Sequence, residues 1–356
     1  MIVRFLILLL SLLASARSFT SLRPRPSIAK LQALRRTLGS SPIKQAADDL
    51  QFDEYQQEEL PKAVIYTSSI KSPKESYIAF AEKGFSNAKM TKSKILHQSI
   101  LGGAYVGFGA LLSLSVAGNI SGIGASNPGL IKMVFAALFP VNLLLIVTTG
   151  GQLFTGNTAA VAAAYYEGLV NKRELALSWA ISLFGNVIGC GMMALAAWYS
   201  GLLTGGTATL CSNMAAQKCF GATFGQKFVK AVLCNWMVSM AVFLAGATSD
   251  LAGKLVAVWF PISTFVAIGL EHSVANLFIL PAAMLLKAPI SLAVVMSSLI
   301  PVVLGNAVAG AFVVAGSYSY QFGRLGAGDG RKNQRVDGAA PNKGKKNAIS
   351  RKKLPL

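Results

Sequence analysis

The sequence predicts an all-α membrane protein whose six transmembrane helices form an inverted repeat, with the second and fifth helices interrupted. Three observations carry this. First, the 356-residue chain is 53% hydrophobic with a mean hydropathy of +0.53, too apolar for an ordinary soluble domain. Second, charge is swept from its centre: residues 95–323 hold 8 Lys/Arg and 4 Asp/Glu, against 15 and 8 in 1–94 and 10 and 2 in 324–356. Third, two apolar stretches are too long for one straight crossing, and glycines and polar residues interrupt both. The net charge of +19 therefore lies mainly in the flanks, without the basic-aromatic interleaving of a nucleic-acid surface. It fits a positive-inside bias and anionic lipid headgroups.

Residues 1–47 read as an address. Arg4, the apolar run from Phe5 to Leu13, and Ala14-Ser15-Ala16 make a signal sequence too short to span a bilayer. From Arg17 to Ala47 the chain carries Arg17, Arg23, Arg25, Lys30, Arg35, Arg36 and Lys44 with several serines and no acid, the composition of a transit peptide. A signal followed directly by a transit peptide resembles the presequences of algae with secondary plastids, which points to a multi-pass protein of the plastid (chloroplast) envelope. A plain secretory signal followed by a basic tail is the alternative. Residues 48–94 form a polar linker, acidic from Asp48 to Glu59, and then an amphipathic surface helix. Ser72-Pro73-Lys74-Glu75 supplies its cap, first-turn proline and capping-box glutamate, and Tyr77, Phe80, Ala81 and Gly84 share one face.

The pore domain, 95–323, holds six apolar spans: about Ile95 to Ala117, Met133 to Tyr166, Leu175 to Tyr199, Phe228 to Ala247, Leu255 to Leu286 and Ala293 to Tyr320. An even number puts both flanks on one side, with Lys83, Lys89, Lys92, Lys94, Lys172, Arg173 and Lys254; Lys218 and Lys287 fall opposite. Glycines such as Gly102, Gly103, Gly107 and Gly109 suit close helix packing. Cys190 and Cys234 read as inert packing thiols, while Cys211 and Cys219 share one predicted loop and could form a disulfide. No cysteine or histidine spacing suggests a metal site. Residues 324–356 make a basic, glycine-rich tail that should be disordered.

The second span contains Thr148-Thr149-Gly150-Gly151-Gln152-Leu153-Phe154-Thr155-Gly156-Asn157, and the fifth contains Ile268-Gly269-Leu270-Glu271-His272-Ser273-Val274-Ala275-Asn276. Unwound backbone at membrane depth is tolerated only where it lines a cavity or is buried in protein. Interruptions at matching places of two halves point to a transport site. Glu271 is the only formally charged residue between Lys254 and Lys287. At mid-membrane such a residue costs about 3 kcal/mol, so the Glu271-His272 pair is a candidate functional centre. Glu271 itself is expected to accept backbone hydrogen bonds.

These residues resemble the formate/nitrite transporter family over about Ser72 to Gln321. Gly269 to Asn276 is similar to its fifth-helix signature, Leu153-Phe154-Thr155 to its second-helix loop, and Cys234-Asn235-Trp236-Met237-Val238 to its fourth-helix motif. The resemblance implies an aquaporin-like fold, a homopentamer with one pore per subunit, no cofactor, and no enzymatic activity. It places His272 at the pore centre with Thr155 and Asn235 as polar neighbours and Asn276 nearby in the same signature. Apolar constrictions fall on Phe139 and Leu143 on one side and Phe265 on the other, with Leu153 from the second-helix loop. Spacing agrees: Phe139 and Leu143 are four apart, and Phe265 lies seven residues before His272. The family's vestibule lysine falls on Lys218, one residue from the position reached by counting back from Asn235.

The expected function is passage of a small monovalent weak-acid anion, nitrite before formate, other short monocarboxylates or hydrosulfide, linked to protons through His272. A water channel would need paired Asn-Pro-Ala-like motifs, and Asn127-Pro128 stands in the wrong context. An intramembrane enzyme would need a nucleophile with its base, and Ser273 beside His272 is only a sequence neighbour.

Overall fold

The computed structural model describes residues 70–124 and 126–327, all within the compact unit Thr67–Leu356. The signal and transit readings for 1–47, the acidic linker, and the tail from 328 onward lie outside the described residues.

Helix α1, Pro73–Lys89, starts as the sequence predicts: Ser72 caps Glu75 N–H and the Glu75 carboxylate returns to Ser72 N–H. Its apolar face packs on the protein rather than lying on lipid. Phe80 meets Phe243 edge-on at 5.6 Å, and Gly84 lies so close to Ala160 O that a Cβ there would overlap it. Six candidate spans follow: α2 Lys92–Ala117, the pair α3 Pro128–Leu138 and α4 Val141–Thr149, α6 Lys172–Tyr199, α8 Phe224–Ala247, α9 Leu251–Ile268, and Leu292–Phe322. The last is α11 Leu292–Val308, a π-helical stretch Ala309–Gly316, and α12 Ser317–Phe322. Shorter apolar helices, α5 Phe154–Tyr166 and α10 Ser273–Leu285, continue the two interrupted spans.

The helices begin one to five residues before the points that hydropathy alone marks. Polar first turns such as Lys92–Lys94 and Lys172–Glu174 carry no hydropathy signal, yet Thr91 and Asn171 cap them. The second span also bends at Phe139 and Pro140, where proline interrupts the backbone ladder between α3 and α4.

A further helix, α7 Gly205–Phe220, occupies what reads from sequence as a loop. Thr207, Cys211, Ala215 and Cys219 recur every four residues and are its buried residues. Cys211 and Cys219 are two turns apart on it and both are free thiols, so the suggested disulfide is absent.

The repeat can be read from hydrogen bonds. Each half is a surface helix (α1 or α7), a straight span (α2 or α8), an interrupted span, and a closing span (α6 or α11). Gly150 and Gly269 end the first parts of the interrupted spans in left-handed conformations, φ 85° and 83°. Asn186 on α6 accepts from Phe154 N–H at 2.8 Å and donates to Ser99 O on α2 and to Gln152 O. Asn306 on α11 accepts from Ser273 N–H at 2.9 Å and donates to Ala231 O on α8 and to Glu271 O. Two asparagines thus bind the two interruptions with the same set of bonds.

Candidate functional site

Helices α5 and α10 each begin inside the membrane domain, where their first N–H groups need acceptors. Phe154 and Ser273 N–H find Asn186 and Asn306. Their N-cap positions differ in chemistry: Leu153 offers no side-chain bond, whereas His272 Nδ1 accepts from Ala275 N–H at 3.1 Å. A backbone N–H can only donate, so Nδ1 bears no proton in this arrangement and the ring proton sits on Nε2. Nε2 lies 3.2 Å from Thr155 Oγ1. His272 and Thr155 are both buried.

Around the ring is a small, mostly apolar cavity lined by Phe139, Asn142, Leu143, Leu153, Val238, Ile262, Phe265 and His272. The Phe265 ring centroid is 5.6 Å from that of His272, and the Phe139 ring meets Phe265 edge-on at 6.3 Å. Phe265 reaches the histidine across the break after Ile268, not along one continuous helix face. Leu143 and Leu153 also line a second cavity with Lys83 and Asn87 of α1.

Asn235 makes no hydrogen bond to His272 itself, but bonds the residue that does. Its Nδ2 donates to Thr158 Oγ1 at 2.9 Å, to Thr155 O and to Asn306 O, which ties α8 to the backbone behind Thr155. Glu271 departs from expectation as well. Its Oε2 receives Lys218 Nζ at 3.0 Å and Asn276 Nδ2 at 2.8 Å, both from side chains. The unwound backbone is served by Asn306 instead, which leaves the carboxylate free for a cation. Lys218 therefore stands on α7 as half of an ion pair rather than as a lone cation. In the first half Gln152 holds the place of Glu271: its Oε1 takes Asn157 Nδ2 at 2.8 Å and its Nε2 donates to Gln98 Oε1.

Sequence reasoning missed Gln152, Asn186 and Asn306. The signal was present: Gly185-Asn186 and Gly305-Asn306 put the same dipeptide near the middle of the third and sixth spans. Among the described residues no three His, Cys, Asp or Glu side chains gather as a metal site.

Six spans, two helices that start inside the bundle, and one histidine in a narrow apolar cavity define a channel-like membrane transporter. The profile described as formate/nitrite transporter matches residues 74–320, and the chain belongs to that family. It is 38% identical over 273 residues to a probable formate transporter of Methanothermobacter thermautotrophicus, covering 72% of this chain and 98% of that one. It is 32% identical over 237 residues to a formate channel of Bacillus thuringiensis, covering 67% and 90%. Among solved structures, an FNT family ion channel matches with TM-score 0.64 at 26% identity, covering 69% of this chain and 98% of that one. A pentameric formate channel with formate bound matches with TM-score 0.59 at 25% identity, covering 65% and 98%. The relatives are named as transporters and channels, and this chain is a transporter, not an enzyme.

Proposed function

We propose that the protein carries a small monovalent weak-acid anion together with a proton through one pore per subunit, with nitrite as the substrate and formate as the alternative. The observation that carries this reading is His272 Nε2 at 3.2 Å from Thr155 Oγ1, inside a cavity walled by Phe139, Leu143, Leu153 and Phe265. A bare anion is costly in such apolar surroundings, so passage as the neutral acid is favoured there. A neutral ring that gave up its Nε2 proton would become imidazolate. The proton handed to the anion is therefore one that has reached the ring as imidazolium. Forming imidazolium costs the Ala275 bond at Nδ1, and an adjacent anion is what offsets that cost. Proton and anion then move together. Thr155 orients the ring, Asn235 and Asn276 hold the backbone and the carboxylate around it, and the aromatic side chains exclude water and larger anions.

Nitrite is chosen over formate because the leader reads as a plastid address, and reduction of nitrite is a plastid reaction. A homopentamer is the matching assembly, supported by the pentameric neighbour, and the plastid envelope, read from the leader alone, is its membrane. The test is uptake of nitrite and formate by proteoliposomes that contain the chain without residues 1–47, under an inward proton gradient. Gradient-driven nitrite flux above formate flux is expected, and His272→Phe should abolish the gradient dependence. Formate preferred over nitrite would overturn the substrate. A His272→Phe variant with normal pH-dependent uptake would sink the relay.

A further inference from the structure

One polar side chain in the cavity beside His272 has no part in the transport reading. Of the side chains that line that cavity, only Asn142 and His272 carry hydrogen-bonding groups. Asn142 stands between Phe139 and Leu143, three residues after one and next to the other, and all three line the cavity. An amide therefore sits within the apolar constriction, at 3% exposure. Its Nδ2 donates to Phe139 O, and because a carbonyl can only accept, that bond fixes which end of the amide is which. Oδ1 takes no hydrogen bond from any described residue. A buried acceptor in that condition has lost water and gained nothing in return.

Neither the bend nor the repeat requires an amide here. Phe139 O already accepts from Asn142 N–H at 3.3 Å, so the backbone serves that carbonyl at the Pro140 bend. Asn142 lies eight residues before Gly150, and the residue eight before Gly269 in the other half is Pro261. Pro261 lies inside α9 and has no side-chain donor or acceptor. The amide oxygen is thus left for what enters the cavity, and its partner must bring a donor. A bare anion such as nitrite or formate has only acceptors, whereas its neutral acid has one O–H.

We propose that Asn142 Oδ1 receives the O–H of the neutral acid in the constriction, and that this bond favours small oxyacids that carry a donor beside an acceptor. This rests on the reading above, in which anion and proton move together. Imidazolium at His272 gives its proton to an oxygen of the anion, the ring returns to neutral, and the new O–H donates to Asn142. The second Nδ2 N–H is available to the acid's other oxygen, a pairing that HO–N=O and HO–CH=O both allow.

The experiment measures nitrite and formate uptake per folded protein in proteoliposomes under an inward proton gradient. Wild type, Asn142→Leu and Asn142→Ser are compared, with thermal unfolding of each. Leucine removes the amide; serine keeps a donor for Phe139 O, but its oxygen stops one bond short of the position of Oδ1. Loss of one hydrogen bond to the passing acid should lower the ratio of maximal flux to half-saturating concentration roughly tenfold in both variants. A Ser variant that matches wild type would reduce Asn142 to a brace for the bend and overturn the proposal. Equal flux in all three proteins would overturn it too, as would losses no greater than the fraction of protein unfolded. Should Leu fail to fold, Ser decides alone. Wild-type vesicles that carry neither nitrite nor formate would overturn the pore reading itself, and the role of Asn142 with it.

Discussion

At the scale of single residues, the buried charges beside the site are held as a pair. Lys218 and Glu271 are 14% and 9% exposed in their side chains, so removing one partner leaves the other poorly solvated. Glu271→Ala should destabilise the folded protein by about 3–5 kcal/mol, read as a lowered unfolding midpoint in detergent. Glu271→Gln, which keeps an acceptor for Asn276, should cost less. Tyr77 makes a similar point on α1. Its hydroxyl donates to Glu167 at 2.6 Å, and burial, first, with that carboxylate beside it, raises its pKa. A folded-state pKa above the unfolded value near 10 means that this contribution is complete at neutral pH. It is lost as pH climbs beyond about 10. Tyr77→Phe should flatten that part of an alkaline unfolding profile, and an unchanged profile would show that the hydroxyl does not tie α1 down.

Among elements, the interruptions are what matter most. Gly150 and Gly269 each end a helix at positive φ, so a side chain there meets the left-handed penalty of about 1–2 kcal/mol. Gly150→Ala and Gly269→Ala should each lower stability by about that amount, measured by unfolding, while Gly191→Ala, with open space at its Cβ, should not. Asn186 and Asn306 are expected to be more sensitive. Each joins a closing span, a straight span and the unwound backbone, so an Ala substitution strands several buried groups. Asn306→Ala should impair uptake more than Asn186→Ala, because the peptide it holds begins the helix that His272 caps. Equal losses in paired flux assays would show that both latches serve stability alone.

For the whole molecule, six spans place the two ends of the described chain on one side, and a shared anchor joins them. Glu167, just past α5, accepts from Tyr77 on α1, from Ser319 on α12 and from Arg324 N–H, while Arg324 Nη1 donates to Glu167 O. The basic residues divide unevenly across the membrane. Lys71, Lys74, Lys83, Lys89, Lys92, Lys94, Lys172, Arg173, Lys254 and Arg324 share the anchor's side; Lys132, Lys218, Lys227, Lys230 and Lys287 lie opposite. The opposite side holds three more lysines than the sequence reading allowed, and two of them, Lys227 and Lys230, sit in the early turns of α8. The excess still orients the protein. An impermeant thiol reagent should label cysteines placed at Lys74 and Leu325 from one side of sealed vesicles and at Lys287 from the other. Opposite labelling of Lys74 and Leu325 would break the six-span topology.

The number of spans, the places where two of them break, and the residues at those breaks can all be read from the amino-acid order. Hydrophobic length, glycine, and intramembrane charge are local properties, readable one segment at a time. Ser72-Pro73-Lys74-Glu75 announced a helix start for the same reason. Which polar group answers which emerges only in the folded chain. Glu271 meets Lys218 from a helix 53 positions away in the chain, and Asn235 hydrogen-bonds to Thr155 O and Asn306 O. Helix α7 was hidden because its buried face is made of Thr, Ala and Cys, which carry little hydropathy contrast. Hydrogen bonds at membrane depth are chosen by distance and direction between segments far apart in sequence, and local pattern does not encode these.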